Sequence, residues 1–71
     1  MLTSQEIAYR AEATRAFQAA EDVWQAELVA RFGKDAGNAR YLPRGKGEPG
    51  SRLRVLHDMR QTAQALFRAA W

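Results

Sequence analysis

Gly33-Lys34-Asp35-Ala36-Gly37-Asn38-Ala39-Arg40-Tyr41-Leu42-Pro43-Arg44-Gly45-Lys46-Gly47-Glu48-Pro49-Gly50 contains all five glycines and both prolines of the 71-residue chain. Glycine and proline are the residues a helix interior tolerates least, so this window reads as a break between two helix-permissive flanks. The chain is accordingly read as all-α and as one domain, residues 1–71. A first helix runs over about 3–32, a Gly/Pro-rich basic connection over 33–50 and a second helix over about 51–70, the two helices folding back as an antiparallel hairpin.

Working outward, the N-terminal flank opens with Thr3 as N-cap and Glu6 three residues on, the pattern of a capping box, while Leu2 and Ile7 stand where a hydrophobic staple places its pair. Gly33 follows Phe32 as a helix-ending glycine does. At about 100° per residue, Ile7, Phe17, Trp24, Leu28 and Phe32 share one stripe, with Thr14 and Glu21 on it. A second surface is rich in alanine (Ala8, Ala11, Ala19, Ala26, Ala30), flanked by Val23 and Val29. On the other side of the break, Ser51 is the expected N-cap of the second helix. Val55, Leu56, Met59, Ala63, Leu66, Phe67 and Ala70 form its expected core face, opposite Arg54, His57, Asp58, Gln61, Gln64 and Arg68. The expected register sets Phe32 near Leu53, Leu28 beside Leu56, Trp24 beside Met59 to Ala63, and Phe17 beside Phe67. Glu21, a carboxylate inside an apolar stripe, is expected to pair with Arg60.

The first helix, at about 45 Å, outreaches the second, at about 30 Å. Two helices of unequal length leave part of the longer one uncovered, and a core this small rarely gives more than about 3–5 kcal/mol of net stability. The chain has no cysteine to reinforce it. A homodimeric four-helix bundle answers both problems, with Ile7, Ala19, Trp24 and Ala26 as the expected dimer surface.

Within the connection, Asp35 to Tyr41 is expected to form one helical turn and Tyr41-Leu42 an apolar anchor. Pro43 to Gly50 has no aliphatic or aromatic side chain to hold it and is expected to be mobile.

Charge is unevenly distributed. Residues 1–30 carry a net −3 and residues 31–71 a net +6, giving the total of +3. Arg40, Tyr41, Arg44, Lys46, Arg52 and Arg54 form the one constellation suited to nucleic acid or another anion, because guanidinium and ammonium groups neutralise phosphates and a tyrosine stacks on a base. No helix-turn-helix, zinc-finger or RNP signature accompanies it. Gly45-Lys46-Gly47 departs from the phosphate-loop pattern, with Arg40 where the leading glycine belongs and Gly47 where a Ser or Thr belongs.

His57 is the sole histidine and is expected on the solvent face. No paired catalytic groups, no metal-ligand spacing and no cofactor motif occur, so neither enzymatic activity nor a cofactor is expected. No run reaches the length of a membrane span and the N-terminus lacks a leader pattern, which fits a cytoplasmic protein with no membrane partner. The reading that follows is a small non-enzymatic helical protein acting through self-association, as a homodimer, and through binding another protein. The alternative is a nucleic-acid-binding accessory protein using the basic connection and the start of the second helix.

Overall fold

Thr3 Oγ1 accepts the Glu6 amide at 3.1 Å and starts α1, Ser4–Phe32. Gly33, at φ 54°, ends it by donating its amide to the Val29 carbonyl. A 3₁₀ turn, Gly33–Asp35, leads into the single-turn helix α2, Ala36–Ala39, and a second 3₁₀ turn, Pro43–Lys46, follows. Ser51 Oγ accepts the Arg54 amide at 3.1 Å and caps α3, Arg52–Ala70. This computed structural model describes residues 1–71; 83% of them are helical and none is in a strand, so the all-α class and the two long helices stand. No helix is long and apolar enough to cross a membrane.

Four levels of contact fix how α1 and α3 meet. Arg10 Nε donates to the Ala70 carbonyl at 2.7 Å, the Phe17 and Phe67 rings lie 5.2 Å apart, Arg60 Nε reaches Glu21 Oε2 at 2.5 Å, and His57 stands edge-on to Trp24 at 5.5 Å. Chain numbers rise along α1 as they fall along α3, so the helices run in opposite directions. The Phe17–Phe67 and Glu21–Arg60 pairings agree with the sequence reading. At the connection end, Trp24, Leu28, Ala36, Leu53 and Leu56 make the buried core, with Phe32 packed on it.

The rotation of α3 differs from the expectation. Leu53, Leu56 and His57 face inward, Arg60, Gln64 and Phe67 are half-buried, and Val55, Met59 and Leu66 lie in solvent. Trp24 therefore meets His57 as well as Arg60, the latter within the expected stretch Met59 to Ala63. Relative to its own apolar face, α3 is turned by roughly 60° about its axis. Two attachments hold it there: the Arg60–Glu21 ion pair, and an Arg54 Nε bond to the Gly47 carbonyl at 3.0 Å. His57, expected in solvent, is 7% exposed as a consequence.

The connection is anchored, but not by the residues expected. Tyr41 is 82% exposed and Leu42 is also exposed. Its contacts to the core are small instead: Ala36 and Ala39 are buried, as is Gly45, whose carbonyl accepts the Trp24 Nε1 hydrogen at 3.1 Å. A Cβ on Gly45 would sit 2.1 Å from the Ala39 carbonyl oxygen, so only glycine lets the two backbones touch. Within the segment expected to be mobile, Pro43–Lys46 forms a 3₁₀ turn whose Gly45 is buried. What this turn sets against Trp24 is the Gly45 backbone carbonyl.

Candidate functional site

The connection covers one face of the α1–α3 pair at its loop end, where Arg40 bonds Gln25 and Arg54 bonds Gly47. The opposite face is open. There Tyr9, Ala13 and Ala16 of α1 and Val55, Met59, Ala63 and Leu66 of α3 line a trough of about 810 Å³, rimmed by Glu12, Asp58 and Thr62. The trough exists because α3 is rotated. Its apolar residues occupy a wide arc, and packing on α1 covers only one edge of that arc, leaving Met59 57% exposed in a chain that buries nine residues in all.

A polar cluster fixes the rotation from the other side. The Glu21 carboxylate is held between Arg60 and Arg40, and Arg40 also donates to Gln25 Oε1 at 2.7 Å. Both guanidinium groups lie over the Trp24 indole, 5.1 Å from its centre for Arg60 and 5.2 Å for Arg40. Burial pushes the Glu21 carboxyl up, but the hydrogen bonds from Arg60 and Arg40 and their positive charges outweigh it and hold the group below its usual value. No buried side-chain polar atom lacks a partner.

The basic constellation read from the sequence is dispersed. Arg40 points inward to Glu21, Arg44 pairs with Asp35 and lies over the Phe32 ring, Arg52 sits 3.4 Å from Glu27, and Arg54 is bonded to the Gly47 carbonyl. Lys46 and Tyr41 are exposed.

The candidate dimer residues divide similarly. Trp24 is 3% exposed and bonded through its only polar atom, so it has no side left for a partner. Ile7, Ala19 and Ala26 are exposed but lie outside the trough. Ala13 and Ala16, one helical face away from Ala19 and Ala26, are the alanines that line it. The signal that locates the trough is the spacing of Val55, Met59 and Leu66, which sequence patterning had assigned wholesale to the internal core. Comparison with protein-family models, with curated proteins and with solved structures finds no match for this chain.

Proposed function

We propose that this protein is a small non-enzymatic helical interaction protein, a hairpin that works by self-association and through its open helix face. The trough carries this reading. An α-helix buries its apolar stripe against another element, and here a stripe formed by Val55, Met59 and Leu66 has no element to meet within the chain. Scattered exposed apolar residues are ordinary on any protein, whereas a contiguous set lining a groove marks an interaction site.

The shape of the molecule agrees. Its Cα dimensions are 44 × 23 × 16 Å and its radius of gyration is 14.2 Å, against about 11 Å for a compact domain of this length. One layer of helices with a flap at one end lacks the second layer that normally encloses a core.

Sedimentation velocity of the full chain across micromolar concentrations tests the reading. The expected outcome is a mass above 8.0 kDa that rises with concentration, and that returns to the monomer in Met59→Glu with helicity retained by circular dichroism. A mass of one chain at every concentration would overturn self-association.

A further inference from the structure

We infer that the trough is filled by a second copy of the chain, with α3 of each copy lying along α1 of the other and both connections at the same end. The inference rests on the self-association reading and specifies its geometry.

Each long helix carries two seams of heptad spacing. Arg10, Thr14, Phe17, Glu21, Trp24 and Leu28 recur at alternating steps of four and three residues along α1, and Leu53, Leu56, Arg60, Ala63, Phe67 and Ala70 do so along α3. These inner seams face each other in the structure. Displaced to one side lie Tyr9, Ala13, Ala16, Ala20 and Val23 on α1 and Val55, Met59, Thr62, Leu66 and Ala69 on α3, at the same spacing. Two adjacent seams per helix is what a helix with two helical neighbours requires, and the fold supplies each helix with one. Tyr9, Ala13 and Ala16 of one outer seam and Val55, Met59, Thr62 and Leu66 of the other line the same trough, so one two-helix partner satisfies both.

Side-chain size selects how the copies pair. The outer seam of α1 is mainly alanine, and that of α3 presents Val55, Met59 and Leu66. Laying α3 on α1 sets Leu66 on an alanine at both contacts, with Met59 meeting Val23, which suits the uniform interhelical separation of about 8–10 Å in a bundle. The reverse arrangement sets large on large at one contact and small on small at the other. The helices also differ in sign: α1 holds five carboxylates and three guanidinium groups, α3 four guanidinium groups and one carboxylate. At the trough itself, however, the two charged lining residues, Glu12 of α1 and Asp58 of α3, are both carboxylates, so charge does not choose the pairing. The twofold axis then runs along the helices and preserves their levels. By the internal register of Phe17 with Phe67 and Glu21 with Arg60, Leu66 of the second copy falls at Ala16, Thr62 at Ala20 and Met59 at Val23.

The exposed area is of the right size. The chain exposes 5135 Å², whereas a compact monomer of its mass exposes about 4450 Å². The excess of about 700 Å² compares with the ~800 Å² that each partner contributes to a standard interface.

Because the chain has no cysteine, single-cysteine variants report this geometry directly. Ala16→Cys and Leu66→Cys are mixed, checked by sedimentation for dimer mass, and oxidised. The mixture is expected to give a disulfide-linked heterodimer, and Thr62→Cys alone is expected to give none, since those residues lie on diagonal helices. Cross-linking of Thr62→Cys to itself would show α3 lying on α3 and overturn the arrangement. A dimer in which the Ala16→Cys and Leu66→Cys chains fail to link overturns it as well. A monomer by mass would overturn the self-association reading itself, a failure that the mass reports separately.

Discussion

Gly45 and Glu21 each decide something out of proportion to their size. At Gly45 the absence of a Cβ lets the 3₁₀ turn touch the Ala39 backbone while its carbonyl receives the Trp24 indole hydrogen. Gly45→Ala must push that turn away, and an overpacked site of this kind costs about 1–3 kcal/mol. Urea unfolding should show that loss together with a red-shifted Trp24 emission, read in a Trp71→Phe background so that one indole reports. Glu21 is the counter-charge of two arginines that share one indole face. Glu21→Gln should destabilise by about 1.5–3 kcal/mol at neutral pH, the range for hydrogen bonds to charged groups. Its carboxyl is held low when folded, so its contribution is complete above the ordinary carboxylate value of about 4.3 and disappears as pH falls through the lower folded value. The stability gap between wild type and Glu21→Gln should therefore close on acidification below about pH 4 and be constant from pH 6 to 8. A gap unchanged at pH 3 would contradict this account.

Among the elements, α3 carries the most information. Its inner seam meets α1 in a layered series, aromatic at Phe17–Phe67, ionic at Glu21–Arg60 and apolar around Leu28 and Leu53. Phe17 and Phe67 are half-buried rather than sealed, so Phe17→Ala or Phe67→Ala should each cost about 1.5–3 kcal/mol, below the 3–5 of a fully buried Phe. Thermal unfolding followed by circular dichroism gives the comparison. On the outer seam the expectation is opposite in kind. Ala16→Glu should weaken the proposed association while leaving monomer helicity intact, and Ala19→Glu or Ala26→Glu should leave the mass unchanged because neither lines the trough. Sedimentation of the three variants at one concentration separates the two faces of α1. The start of α1, the break at residues 33–50 and the cap of α3 were legible in the sequence, because caps and breakers act on neighbours a few residues away. The rotation of α3 was not, because amphipathic spacing says which residues are apolar and not which edge of a wide apolar arc a neighbour will cover.

For the whole molecule, the thin single-layer shape and the excess exposed area point to a second layer. Deleting the outer-seam apolar groups together, as Met59→Glu with Leu66→Glu, should give a chain that sediments as a monomer at all concentrations. Its far-ultraviolet helical signal should be lower only by the stability that association contributed. Retention of a concentration-dependent mass in that double variant would place the association elsewhere on the surface.

Sequence alone determined the all-α class, the ends of the two long helices, the Phe17–Phe67 contact and the Glu21–Arg60 pair. The class and the helix ends follow from local backbone preference, and the two contacts from the spacing within each helix once an antiparallel register is set by Phe32 and Leu53 at the break. The tertiary structure decided the rest: that His57 and Trp24 are inside, that Arg40 and Arg44 are drawn into ion pairs and Arg54 into a carbonyl bond, and that Val55, Met59 and Leu66 remain outside. The physical reason is that the Gly45 carbonyl and Arg40 hold Trp24 from the connection while Arg60 reaches it from α3, which turns α3 toward it. Contacts between segments distant along the chain choose among faces that spacing leaves equivalent.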